Sequence, residues 1–490
     1  MKTKLSNKKV WLGVMIVAFN VIALLALTFL MIEINYGMGV IEFIVDNLSR
    51  IIFVVASVTF LSALTFGYIR FDCQELLENL SRLIEVLVLL DISVFVSSII
   101  GKYIDPNARP FGFFALMCAT VLNRKGAIFF NVINALLIFV IDVNVNLAGS
   151  ITANVQIWQY CAGLLMSFCA GTLVVFFMRS VKTRIQSILL VFLLLIPIEL
   201  IIGVMEVLFG ETSGDTSPYM LFAYGAFGAF ISVVLYMMLL PVFEFVFSEL
   251  TVFRLRELTS PDAKLIKKLK AEAPGTYNHS VVVAQLAEAC ANAIGDDSEL
   301  ARAAAYYHDV GKLRNPEMFT ENQADYNMHN ELSPELSADI IRSHAKDGAK
   351  LIKKNHLPEF FADIAIQHHG TLPIKYFYAK ALKMTDGEIN IATFSYSGPT
   401  PQSRIAAIIM IADAAEAACR SLKDRSAANV QALVNSLIEE RLNLDQFDNC
   451  DITMRQLSII SHTIAQSLSG VYHSRIEYPK IKISKREQNV

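Results

Sequence analysis

Long apolar stretches recur through the first half of this chain, and a bilayer is the solvent in which such stretches are stable. They fall near 11–33, 51–70, 85–104, 111–122, 126–143, 155–178, 187–209 and 219–247, and the fourth is short. The expectation is a bundle of about eight membrane spans over 1–250. The first stretch follows Met1-Lys-Thr-Lys, as a signal peptide would. Its apolar core is too long for one and no A-x-A site follows, so it reads as an uncleaved anchor.

Charge divides the chain at the same place. Residues 1–250 carry 14 Lys+Arg and 16 Asp+Glu, whereas 251–490 carry 28 and 29. A membrane-like half is followed by a globular-like half. This excludes a disordered chain, a secreted disulfide scaffold and a single soluble enzyme. The net charge of −3 lacks the basic stripe that wraps a nucleic-acid polymer, but it leaves room for a small nucleotide held by metals. The seven cysteines are scattered without any C-x-x-C and read as ordinary thiols.

Basic residues orient the bundle. With the N-terminus inside, the inner segments hold Lys2, Lys4, Lys8, Lys9, Arg70, Arg82, Arg124, Lys125, Arg179, Lys182 and Arg184, against Arg50, Lys102 and Arg109 outside. Eight spans then return the chain to the cytoplasm, so both termini are expected there. The outer loops 34–50, 105–110, 144–154 and 210–218 are too short to fold as a sensor domain. Carboxylates at Glu85, Asp91, Glu199, Glu206 and Glu244 lie in or near spans, some reaching the interface. Glu199 and Glu206 are two helical turns apart and share a face, either lining a pocket or pairing with another span.

Residues 251–275 read as a juxtamembrane linker. Ser260-Pro261-Asp262 is a turn, and Ala263–Glu272 is a basic amphipathic helix carrying Lys264, Lys267, Lys268 and Lys270. Its basic face is either solvated or laid on anionic lipid. Pro274-Gly275 then breaks the helix.

From 276 the pattern is helical almost throughout, over 279–294, 299–308, 334–343, 345–355, 359–369, 404–422, 427–441 and 453–470. The fold class is therefore all-α in both halves. A small hairpin is expected within 383–403. There is no phosphate-binding Gly loop and no G-x-S-x-G. All nine histidines of the chain lie after residue 278. His308-Asp309 closes one apolar helix, His279 opens another, His344 lies between two, and His368-His369 ends a fourth. Asp413 sits inside an apolar helix, where an ionised carboxylate costs several kcal/mol unless it is paired or holds a metal. Adjacent helical residues diverge by about 100°, so a His-Asp pair can serve two ions.

These residues carry a resemblance. His279, His308-Asp309 and Asp413 match the H…HD…D signature of the HD-domain phosphohydrolases, and His344 and His368-His369 match the extra histidines of its binuclear members. The wider resemblance, over roughly 50–480, is to the seven-transmembrane receptors with an intracellular HD hydrolase. Its strings include Ala273-Pro-Gly-Thr-Tyr-Asn-His-Ser280, His308-Asp-Val-Gly-Lys312, Phe319-Thr-Glu-Asn-Gln323, Gln367-His-His-Gly370 and His473-Ser-Arg-Ile-Glu-Tyr-Pro479. The chain departs from that family in two ways. It has 34–50 where the family carries a large extracellular domain, and Asn278-His279-Ser280 where His-His-Ser is common.

The resemblance implies a bacterial cytoplasmic-membrane phosphodiesterase that cuts cyclic di-AMP to pApA and lowers the second messenger. It implies two divalent ions, Mn or Fe before Zn since thiolate is absent. His279, His308, Asp309 and Asp413 would hold one; Asp309, His344, His368 and His369 the other. Lys312 could hold a phosphate; His329 and Thr371 are candidate substrate contacts, against a surface or structural role for each. Cyclic di-GMP is the alternative substrate, although Gly370-Thr-Leu-Pro-Ile-Lys lacks the Gly-Tyr-Pro segment of its hydrolases. Other nucleotides, a non-catalytic nucleotide receptor and a transporter with an accessory domain remain further classes. The expected partners are a cyclic dinucleotide, the lipid bilayer and, for a homo-oligomer, a second copy of the chain.

Overall fold

The computed structural model describes residues 7–36, 41, 45, 47–146, 157–178, 180–209, 217–323, 326–384 and 388–471. The chain separates into two compact units, Met1–Phe253 and Arg254–Val490. The outer loops 34–50, 144–154 and 210–218 and the string 473–479 lie wholly or partly outside the described residues.

In the first unit the helices are α1 (Asn7–Tyr36), α2 (Leu48–Phe71), α3 (Glu75–Glu78), α4 (Leu80–Tyr103), α5 (Phe113–Val121), α6 (Arg124–Ile141), α7 (Ile157–Met178), α8 (Arg184–Ile188), α9 (Leu190–Phe209) and α10 (Pro218–Val246). Among the described residues seven helices are long and apolar enough to cross a membrane. The exception is the stretch expected at 111–122. It forms only the nine-residue α5, because Pro106, Pro110 and Gly112 interrupt the preceding chain.

The chain nonetheless runs the depth of the bundle here. Arg109 pairs with Asp142, just past the C-terminal end of α6. Asn123 caps the opposite end of α6, accepting from Gly126 N at 2.8 Å. Residues 109–123 therefore retrace α6, a path of about 27 Å. Irregular backbone at that depth is tolerated where protein surrounds it, and Phe113 to Cys118 are all buried. The expected fourth span is thus a broken one.

Some polar groups within the bundle find partners, whereas the carboxylate oxygens of Glu85 and Glu199 are buried without a hydrogen-bond partner. Arg109 and Asp142 are both 2% exposed and form a two-pronged ion pair. Asn20 of α1 donates to Asp91 of α4 at 2.8 Å. Glu244 accepts from Arg184 at 2.6 Å and from Thr251, so its role is structural. Glu199 faces α10 at Gly225.

The second unit comprises α11 (Val252–Leu258, begun at the junction), α12 (Lys264–Glu272), α13 (Pro274–Ile294), α14 (Ser298–Tyr307), α15 (Pro334–Lys354), α16 (Glu359–Gln367), α17 (Lys375–Met384), α18 (Arg404–Ser421), α19 (Ala427–Asn443) and α20 (Met454–Val471). The segment read as a linker is not separate. Leu265, Ile266 and Leu269 of α12 are buried against α13, so the helix is part of this unit. The apolar face of α18 is the centre of the core: Ile408, Ile409 and Ile411 are fully buried, with α13 and α20 packed around it.

Three sequence expectations change. His344 lies inside the continuous α15 rather than between helices. His279 lies inside α13, which starts earlier, at Pro274. The hairpin expected in 383–403 reduces to a 3-10 turn, Ile391–Phe394, and one isolated bridge between Pro373 and Ser395.

Candidate metal centre

Five segments deliver the polar side chains to one place. α14 ends at Tyr307, and His308-Asp309 lead directly into the 3-10 turn Val310–Arg314. That turn presses on α15 so closely that a Cβ on Gly311 would lie 1.9 Å from the His344 carbonyl oxygen. Glycine is thus what lets Asp309 approach His344. His368 and His369 follow the end of α16, where Gly370 takes φ +52° to turn the chain away. α13 supplies His279, and α18 supplies Asp413.

The seven residues form two groups: His279, His308, Asp309 and Asp413, and beside them His344, His368 and His369. Asp309 faces both. Its Oδ2 lies 3.4 Å from His308 Nε2 and 3.7 Å from His279 Nε2. Its Oδ1 lies 3.3 Å from His344 Nε2 and 3.7 Å from His368 Nε2. Asp413 Oδ1 is 2.9 Å from His279 Nε2, and its Oδ2 is 3.8 Å from His369 Nδ1.

The main chain sets how the imidazoles point. His308 Nδ1 is 2.6 Å from Ala305 O, His368 Nδ1 is 2.9 Å from Ala365 O, and His344 Nδ1 meets Ile341 O. A carbonyl only accepts, so each Nδ1 carries the proton and each Nε2 turns a lone pair inward. His344 Nε2 and His368 Nε2 then face each other at 3.3 Å, two acceptors with no proton between them. His308 Nε2 and Asp309 Oδ1 are buried without a hydrogen-bond partner. Inward lone pairs, orphaned buried atoms and ionised carboxylates fit divalent cations.

The electrostatics agree. Burial opposes ionisation, yet Lys312 and His308 hold Asp309 well below the usual carboxylate range, and His279 and His308 do the same for Asp413. Against burial, Asp309 and Asp413 push His308 up to about 10, so in place of a cation they draw a proton onto its Nε2. Burial takes His344 down to about 4, and burial with the neighbouring His368 takes His369 well below its ordinary value. The carboxylate side calls for positive charge, and the His344 side offers neutral imidazoles.

A cleft of about 450 Å³ opens onto these groups, walled by Phe319, Tyr396 and Arg420. Lys312 lines it too, with Nζ 2.8 Å from Asp309 Oδ2 and 2.7 Å from Glu321 Oε1. Two expected substrate contacts are elsewhere. His329 is buried, with Nε2 2.8 Å from Met318 O and its ring against Phe377, tying residue 329 to residue 318. Thr371 is tied to Gln446, its N–H donating to Oε1 at 3.0 Å and its Oγ1 accepting from Nε2 at 2.9 Å. Neither lines the cleft.

Four cleft residues escaped the sequence reading. Glu416 follows Asp413 by three residues and so shares its helix face, a signal that was available. Arg420 lies one further turn along. Glu321 sits within the 319–323 string. Tyr396, stacked on His369 with ring centroids 4.3 Å apart, comes from irregular chain and carried no signal.

Residues 47–251 match the family described as 7TM receptor with intracellular HD hydrolase, and residues 276–418 match the HD domain. The cyclic-di-AMP phosphodiesterase PgpH of Listeria monocytogenes is 46% identical over 269 residues, 55% of this chain and 37% of that protein. The protein of the same name from Bacillus subtilis is 46% identical over 257 residues, 52% and 36%. A crystal structure of the L. monocytogenes PgpH HD domain in complex with cyclic-di-AMP aligns at TM-score 0.42 and 48% identity, over 44% of this chain and 99% of that one. The chain therefore spans little more than a third of the length of these two relatives.

Proposed function

We propose that this chain, a member of the family of 7TM receptors with an intracellular HD hydrolase, hydrolyses cyclic di-AMP to the linear dinucleotide pApA at a pair of divalent metal ions. The observation that carries the reading is Asp309, with one oxygen turned to each of the two ligand groups. The 46% identity to two cyclic-di-AMP phosphodiesterases supports the substrate.

His279, His308, Asp309 and Asp413 would hold one ion, and Asp309, His344, His368 and His369 the other. Nitrogen and oxygen donors without thiolate suit Mn or Fe. Such ions, when bound, neutralise phosphate oxygens and supply hydroxide at neutral pH. The protein's own groups do the rest. Lys312 and Arg420 put positive charge on the cleft wall, where a phosphodiester has two non-bridging oxygens to place. The Lys312 ammonium is kept charged against burial by Asp309 and Glu321. Phe319 and Tyr396 offer flat apolar walls to a base. Cleavage of one P–O3′ bond opens the ring.

Two measurements test this. Purified full-length protein in detergent with Mn²⁺ is expected to convert cyclic di-AMP to pApA at least roughly tenfold faster than it cleaves cyclic di-GMP, as differential recognition of the base permits. Chromatography of the products reads it, and faster turnover of cyclic di-GMP defeats the substrate assignment. The second concerns orientation. Counted with the broken crossing at 109–123, the seven long helices would make an even number of passes and leave both termini on one side, which the excess of Lys and Arg in the inner segments assigns to the cytoplasm. A reporter fused at Lys182 should read inside and one at Asn35 outside; an external signal at Lys182 overturns the arrangement.

A further inference from the structure

The imidazoles of the metal centre are not all held in the same way. His308, His344 and His368 each give Nδ1 to a main-chain carbonyl, a partner that no side-chain substitution removes. His369 instead turns Nδ1 towards Asp413 Oδ2 at 3.8 Å, and His279 is held by a carboxylate. Its Nδ1 lies 2.6 Å from Oε2 of Glu416, a carboxylate with no exposed surface. The other oxygen of that carboxylate, Oε1, accepts from Arg420 Nε at 2.6 Å and from Nη2 at 2.5 Å. Arg420 is four residues further along α18. Its side chain is 41% exposed and lines the cleft.

A chain of contacts therefore runs from cleft to ligand: Arg420, Glu416, His279. Both oxygens of Glu416 are engaged in it, and Glu416 lies outside the two ligand groups. A carboxylate that accepts from Nδ1–H fixes the tautomer, orients the ring and makes Nε2 a stronger donor than a carbonyl partner would. His279 Nε2 points at Asp413 and Asp309, where that strength is used.

We infer that Glu416 is a positioning residue for the metal ligand His279, and that Arg420 holds Glu416 in place from the cleft side. The inference rests on the metal-centre part of the proposed function and is independent of the substrate. It makes the two ligand groups unequal. His344 and His368 of one group, like His308 of the other, are set by the backbone, whereas His279 depends on a side-chain relay that reaches the cleft.

The test is metal affinity. Full-length protein in detergent, stripped of metal, is titrated with Mn²⁺, and free Mn²⁺ is followed by electron paramagnetic resonance. Glu416→Gln keeps the volume and loses the charge. It is expected to weaken one of two Mn²⁺ by about ten- to a hundredfold and to leave the other unchanged. Arg420→Gln, at the exposed end, is expected to weaken the same ion by less and also to raise KM. Circular dichroism shows whether each variant keeps its helices. A folded Glu416→Gln protein that binds both ions within about twofold of the parent overturns the role of Glu416. A parent protein that binds no Mn²⁺ removes the metal centre itself, and this inference with it.

Discussion

Asp309→Ala should abolish hydrolysis and release both metal ions. Asp309 turns an oxygen to each ligand group, at 3.4 Å from His308 and 3.3 Å from His344, nearer to the second group than Asp413, whose Oδ2 is 3.8 Å from His369 Nδ1. A rate loss of about a thousandfold or more is expected, equivalent to roughly 4 kcal/mol of transition-state stabilisation. His344→Ala gives the contrast: it should keep about one ion per chain and still lose activity, because charge neutralisation and attack need the pair. Elemental analysis beside circular dichroism reads both variants. If His344→Ala keeps two ions and a near-normal rate, a single-metal site built from His279, His308, Asp309 and Asp413 becomes the better description.

The second large effect lies in the membrane unit. Arg109→Leu leaves Asp142 as a carboxylate with 2% exposure and no guanidinium beside it. Removing one partner of a buried ion pair costs about 3–5 kcal/mol, most of it the stranded charge. Thermal unfolding of the protein in detergent should show the loss. Arg109→Leu combined with Asp142→Leu should recover most of it, since two apolar side chains strand nothing. A single variant as stable as the parent would show that the broken crossing is held by packing alone. The pair also explains how a chain with Pro106, Pro110 and Gly112 in a span can stay at that depth: the ion pair pins residue 109 at one end of α6 while Asn123 caps the other.

The candidate metal ligands drew attention in the sequence because their chemistry contradicts their surroundings, and the family resemblance completed the set. A carboxylate at 413 inside Ile-Ile-Met-Ile-Ala-Asp-Ala-Ala has no reason to be there as packing, and His-Asp and His-His pairs at helix ends are equally out of place. Residue type alone carried that message. The supporting residues carried no such contradiction. Glu416 and Arg420 have the i, i+4 spacing of an ordinary surface pair, and Tyr396 lies in irregular chain. His329 and Thr371 show the opposite case: polar residues near a motif, whose neighbours in the structure are Met318 O and Gln446.

By itself the sequence determined the two-part division and the helical class, since hydrophobic run length and helical periodicity are properties of short stretches, and with the family resemblance it marked seven candidate ligands. The tertiary structure alone decided how the pieces meet. It laid the short, proline-interrupted stretch alongside α6, because residue 109 pairs with residue 142 at one end. It decided that Asp309 faces both ligand groups, because Gly311 lets one turn press against α15. It gave Glu416 to His279 across 137 positions of chain. Each depends on distances between residues far apart in sequence, and those are fixed only when the whole core closes around them.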